Sequence, residues 1–63
     1  MDMAGVNRLI ISMMTQAAKE YRRAFRRGDK LTCNLINKQI LSNPLVITAG
    51  FDDIWIKYTK SLL

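Results

Sequence analysis

A run of cationic side chains between positions 19 and 30 is the part of this sequence best suited to chemistry, namely to the binding of an anion. The run holds six of the ten lysines and arginines but only two of the five acids. Guanidinium groups match phosphate oxygens in geometry and donate paired hydrogen bonds to them. The cations expected to contact phosphates are Arg8, Lys19, Arg22, Arg23, Arg26, Arg27 and Lys30. The sequence therefore indicates an anionic partner, namely nucleic acid, a nucleotide or an acidic protein surface, with a merely solvated face as the alternative.

Residues for catalysis are scarce in this chain. It has no histidine and one cysteine, and general acid–base chemistry needs positioned titratable groups. Asp29 and Asp52 are expected to cap helices, and Glu20 to pair with arginines of its own helix. The adjacent Asp53 favours a helix N-terminus over a cation site. Cys33 has no histidine to activate it and is expected to be a core residue. We therefore predict a non-enzymatic protein without a metal site or cofactor.

Size sets the domain count and suggests how the chain gains stability. Sixty-three residues, of which 49% are hydrophobic, form at most one domain, spanning 1–63. Such a chain buries only about 60% of the surface that its unfolded form exposes. A single cysteine excludes an intramolecular disulfide, so extra stability has to come from elsewhere. We therefore expect a homo-oligomer, with a dimer favoured, and the net charge of +5 adds to the attraction for polyanions.

We expect neither a transmembrane helix nor a signal peptide in this sequence. Its uninterrupted apolar runs are short, as in Leu9–Ile11, whereas a transmembrane helix needs about twenty apolar residues. The first residues have no basic segment typical of a signal peptide. A single thiol suits a reducing compartment. The expectation is a soluble, cytoplasmic protein with no membrane partner.

The elements that position the cations begin with a long amphipathic helix, from about Met3 or Val6 to Arg27. On a helical wheel, one face collects Val6, Ile10, Met13, Met14, Ala17, Tyr21, Ala24 and Phe25, with Leu9, Ile11 and Ala18 on its flanks. The opposite face collects Arg8, Ser12, Thr15, Lys19, Arg22, Arg23 and Arg26. A stripe this broad needs several neighbouring helices or a second copy of itself.

A tight turn is predicted to end the first helix and start the second. Gly28 is expected to take the left-handed conformation that follows a helix, and Asp29 to cap the next one. The second helix, Lys30 to Leu41, is apolar on two sides. Leu31 and Leu35 point one way, and Cys33, Ile36 and Ile40 point the other way. This pattern is typical of a helix between two elements or at an interface. Its few cations make it a weak reader of a DNA groove, although the turn is short enough for a helix-turn-helix.

The C-terminal third is predicted to be helical as well. Positions 42–44 end the second helix and can start a short one with Pro44 first. Positions 45–49 suit a strand by their β-branched content, but one or two helical turns ended by Gly50 are favoured because no partner strand exists. Asp52 is then expected to cap a last helix over about 53–62, whose inward face is Ile54, Trp55, Tyr58 and Leu62.

The fold class that follows is all-α, a small domain of three or four helices with a long N-terminal amphipathic helix and a tight Gly-Asp turn. The aromatic side chains are expected to be buried and not to stack on bases. The residues predicted to form the core or an interface are Ile10, Met13, Met14, Tyr21, Phe25, Cys33, Ile36, Ile40 and Trp55.

The segment from Gln16 to Lys30 resembles small proteins found in prophages and integrative elements of Gram-positive bacteria. The shared features are an Ala-Ala-Lys-x-Tyr start and a basic-x-Gly-Asp turn, with Ser42-Asn43 and Gly50-Phe51-Asp52 at matching places. Helix 2 departs from that pattern, since Thr32-Cys33-Asn34 and Asn37 replace charged residues. The resemblance implies a mobile-element setting, hence the host cytoplasm, where short proteins often bind and modulate a host or phage component.

Two functional hypotheses follow from these patterns. In the first, a non-enzymatic accessory protein uses the basic face of its first helix to engage nucleic acid or a phosphate-bearing ligand. In the second, a protein-interaction module uses its apolar surfaces to modulate or inhibit a host defence or regulatory protein. Strong salt dependence is typical of the first, and a complex that survives high salt is typical of the second.

Overall fold

The structure is a computed structural model that describes residues 3–63. These residues form four helices: α1 Met3–Arg26, α2 Lys30–Leu41, α3 Pro44–Ala49 and α4 Asp52–Ser61. No strand occurs among them. The predicted all-α class, the long first helix and the short connections are therefore confirmed. Because α1 is continuous, its two faces keep the separation that the helical wheel predicts.

The connection between α1 and α2 is a Schellman turn followed directly by a cap. Gly28 has φ +71°, its amide donates to the carbonyl of Phe25, and the Asp29 amide donates to that of Ala24 at 2.9 Å. The Asp29 carboxylate then accepts the amide of Thr32 at 3.1 Å and its hydroxyl at 2.6 Å. Both predicted roles at this turn are confirmed, and the chain reverses within three residues.

The predicted helical turns at 45–49 are confirmed as α3. Asn43 caps this helix by accepting the amide of Leu45, and Pro44 occupies its first turn. Gly50, with φ +76°, ends it. The predicted role of Asp52 as the next cap is wrong, because Phe51 is the N-cap and Asp52 is already the first residue of α4. The Phe51 amide donates to the carbonyl of Val46, so the two residues between α3 and α4 are the C-cap of one helix and the N-cap of the next.

The core lies where all four helices meet and is centred on Trp55. Its buried residues are Ile10, Tyr21, Ala24, Cys33, Ile36, Ile40, Val46 and Trp55. The indole nitrogen of Trp55 donates to the Asn37 side-chain oxygen at 2.8 Å, and the ring meets that of Tyr21 edge-on at 5.8 Å. This hydrogen bond allows the polar end of the largest side chain to be buried without loss.

Some residues predicted to lie inside are exposed within this chain. Met13 and Phe25 are each 38% exposed, and Ile54, predicted on the inward face of α4, is 57% exposed. In α2 the Cys33 side is buried, but Leu31 and Leu35 face solvent. For Met13 and Phe25 the short α3 and α4 explain the exposure, since they cover only part of the broad apolar stripe of α1.

Candidate anion-binding surface

Four cations of α1 meet at one place on the surface. Lys19, Arg22, Arg23 and Arg26, called here the basic cluster, line a single shallow depression with no other residue in its lining. All four side chains are exposed. Their spacing of three and four residues puts them on one side of the helix, within about 10 Å along its axis. All four side chains can donate hydrogen bonds to a bound anion, and three of them do so through guanidinium groups.

Among residues 3–63, no carboxylate forms an ion pair with the basic cluster. Within residues 3–63 the single ion pair joins Arg27 to Asp29, outside the cluster. The predicted pairing of Glu20 with neighbouring arginines is wrong, because Glu20 is exposed and makes no salt bridge in this part of the chain. The cluster instead contains four like-charge contacts at i,i+3 or i,i+4, each costing about 0.2–0.5 kcal/mol. A bound anion would relieve this repulsion.

The other three predicted cations do not join the cluster. Arg8 is on the same face of α1 but eleven residues before Lys19, about 16 Å along the axis. The guanidinium of Arg27 lies 3.4 Å from the carboxylate of Asp29, which partly satisfies it. Lys30 begins α2, beyond the turn. The depression therefore gathers four of the seven predicted cations, and the side chains of the other three are exposed and available to an extended ligand.

Asp29 fixes the end of α1 that carries the cluster. Its pKa lies below the ordinary value of 3.8, first because Thr32 donates side-chain and backbone hydrogen bonds to the carboxylate, and also because Arg27 is close. Asp29 is therefore ionised at neutral pH and keeps the turn between α1 and α2 closed. That turn holds Arg26 and Arg27 at the helix end.

Exposed apolar side chains form two grooves that flank the first half of α1. The α1–α3 groove, of about 460 Å³, lies between Leu9 and Met13 on one side and Leu45 on the other. The α1–α4 groove, of about 290 Å³, lies between Ile11 and Ile54 with Tyr58 at its end. Sequence reasoning placed Leu9 and Ile11 only on the flanks of the α1 stripe, and that flank position was the available signal for these surfaces.

No family model matches the chain, and neither a curated protein nor a solved structure shows significant similarity to it. Among residues 3–63, none of the helices has the length and apolar character that crossing a membrane requires. The same residues bring no three acidic or thiol groups together in a way that would hold a metal ion.

Proposed function

We propose that this chain is a non-enzymatic binding module whose basic cluster engages the phosphates of a nucleic acid or another phosphate-bearing ligand. The observation that carries the proposal is the unpaired state of the cluster. Four exposed cations share one depression, and no carboxylate of residues 3–63 pairs with them. A merely solvated helix face usually mixes charges of both signs at i,i+4 spacing.

The dimensions of the cluster suit a nucleic acid backbone. It extends about 10 Å along α1, comparable to the roughly 12 Å width of the DNA major groove. Arginine side chains on one side of a helix can reach phosphates along a groove edge. Arg8, on the same face and about 16 Å away, would contact the backbone further along.

Duplex is favoured over single strands within this proposal. Proteins that hold unpaired strands usually stack the bases on exposed aromatic rings beside a basic groove. No aromatic residue lines the basic cluster, and Tyr21 is buried. The cluster also lacks an asparagine or glutamine that would read adenine, and we propose that its contacts are mainly to phosphate.

The experiment is a salt-titrated binding series with labelled duplex DNA, duplex RNA, single strands and polyphosphate. If the four cations of the cluster each neutralise one phosphate, the logarithmic slope of affinity against salt on DNA is about −3.6, a loss of roughly 150-fold between 50 and 200 mM salt. The variant Arg22→Glu with Arg26→Glu is expected to lose binding to all phosphate ligands.

The matched control for that variant is Lys57→Glu with Lys60→Glu, since both lysines are exposed on α4 and the change in net charge is the same. We expect the control to retain most of the parent's affinity. Equal losses in the two double variants would mean that only net charge matters and would refute a site at the cluster. Parent binding with no salt dependence would refute the proposal altogether.

A protein-interaction module is the second candidate, and the α1–α4 groove favours it. This groove is lined mainly by apolar side chains of both helices, including Ile11 and Ile54, which are more than half exposed. In the mobile-element setting implied by the resemblance, the partner would be a host defence or regulatory protein. A purified complex that survives molar salt and is lost on Ile54→Glu, while Arg22→Glu leaves it intact, would favour this function over the first.

Self-association is part of the proposal. Ten large hydrophobic side chains are exposed in residues 3–63, including Leu9 and Leu31 at 72%. A chain of this size with so many apolar groups in water gains from pairing with a copy of itself. We favour a dimer, in the cytoplasm of the cell that makes the protein.

A further inference from the structure

The α1–α3 groove has no charged lining residue, and at about 460 Å³ it is larger than the equally uncharged α1–α4 groove of about 290 Å³. Leu9, 72% exposed, and Leu45, 57% exposed, form its edges, and Met13 also lines it. The side-chain amide of Asn43, which also caps α3, lies 3.7 Å from the sulfur of Met13. The groove thus lies between two helices, with the exposed side chains of Leu9 and Leu45 beside a hollow.

The exposed area of the chain indicates how large an interface with a partner would be. The chain exposes 4793 Å², whereas a compact monomer of 7.2 kDa is expected to expose about 4100 Å². The excess, roughly 700 Å², is close to the ~800 Å² that each partner buries in a standard protein interface. One further copy of the chain would therefore bring the exposed area to the level of a compact protein.

The distribution of charge indicates where that copy can bind. Two chains of net charge +5 repel each other unless their cations stay apart. The α1–α3 groove uses positions 6–13 of α1, and the basic cluster begins at position 19. Leu9 is about 25 Å from Arg26 along the helix axis. Two copies that meet at their grooves with their first helices antiparallel keep their clusters at opposite ends.

We propose that the α1–α3 groove is the interface of a symmetric dimer of this chain, in which Leu9 and Leu45 of each copy fill the groove of the other. In a two-fold interface the same patch must supply both protrusion and hollow, and this patch has both. The inference rests on the self-association proposed above and adds its place. It also gives the assembly two basic clusters facing away from each other, so that one dimer can hold two phosphate backbones.

Sedimentation equilibrium over micromolar to hundred-micromolar protein tests the interface. The parent is expected to sediment as two copies of 7.2 kDa at the upper concentrations. Leu9→Ser and Leu45→Ser are each expected to raise the dimer dissociation constant by at least about tenfold, because each removes two leucines from one interface. Leu31→Ser is the matched control, since Leu31 has the same 72% exposure on α2. It is expected to leave the constant unchanged.

Other outcomes would show whether self-association itself or the placement of the interface is wrong. A parent that remains a single 7.2 kDa species throughout would overturn both self-association and this interface. A dimer that survives Leu9→Ser and Leu45→Ser but is lost on Leu31→Ser would overturn the placement and move the contact to α2. Circular dichroism of each variant confirms that the helices are intact. Dimerisation is expected to persist in the Arg22→Glu, Arg26→Glu variant, so a failure of anion binding is distinguishable from a failure of this interface.

Discussion

Replacing Arg22 by glutamate is expected to stabilise the free protein while it weakens anion binding. Arg22 takes part in two of the four like-charge contacts of the basic cluster, with Lys19 and with Arg26. Glutamate turns both repulsions into attractions, and each reversal is worth about 0.4–1 kcal/mol at low salt. The free energy of unfolding therefore rises by roughly 1–2 kcal/mol, or at least about 4 °C in Tm for a domain of this size.

The assay is thermal unfolding followed by circular dichroism in low salt and again in 1 M salt. At the higher ionic strength the screening length is about 3 Å, so the gain is expected to disappear. Arg22→Gln removes the repulsions without adding attractions and is expected to give about half of the gain. Lys57→Glu makes the same charge change in α4, where it worsens the pairing with Asp53 but improves that with Lys60, so its effect is expected to be near zero.

A lower Tm for Arg22→Glu at low salt would refute the reasoning, since it would mean that Arg22 makes a stabilising contact in the fold. A gain that persists in 1 M salt would also refute it, since the cause would then not be electrostatic. The expected combination of higher stability and weaker binding is typical of residues kept for function at the expense of stability.

Two further changes test the turn between α1 and α2 and the core of the fold. Because the pKa of Asp29 is lowered in the folded chain, its ionised form stabilises the fold above the ordinary value of 3.8, and this contribution is lost as the pH falls through the lower folded value. The stability difference between the parent and Asp29→Asn is therefore expected to narrow below pH 3.8, measured by urea unfolding at a series of pH values, and a difference that widens there would contradict the assignment. Trp55→Phe removes the hydrogen bond to Asn37 and leaves a space in the core, so we expect a loss of about 2 kcal/mol by urea unfolding; a loss under about 0.5 kcal/mol would mean that neither the bond nor the packing matters.

The features that sequence reasoning found correctly are those set by local interactions. The wheel of α1 and the pair Gly28-Asp29 depend on residues within four or five positions of each other, so they can be read directly from the chain. The four cations of the basic cluster are also local, because one helix supplies all of them.

The features that sequence reasoning missed depend on tertiary packing, that is, on which helices contact one another. The wheel gives the direction in which Phe25 points but not whether another helix covers it, and the chain has too little α3 and α4 to do so. Asp52 failed as a cap because α4 starts one residue earlier than predicted, with the Phe51 carbonyl already accepting the amide of Trp55. Arg27 was counted in the site, but its nearest partner is Asp29, across a turn whose geometry the wheel does not describe.

The burial of Trp55 gives the protein a built-in optical probe. It is the single tryptophan of the chain, is 1% exposed, and lies with its ring centre 5.8 Å from that of Tyr21 and 5.7 Å from that of Tyr58. Light absorbed by either phenol is expected to be passed to the indole and emitted at short wavelength while the core is intact. Separation of the helices would end that transfer and shift the emission to the red, so unfolding can be followed without any attached dye.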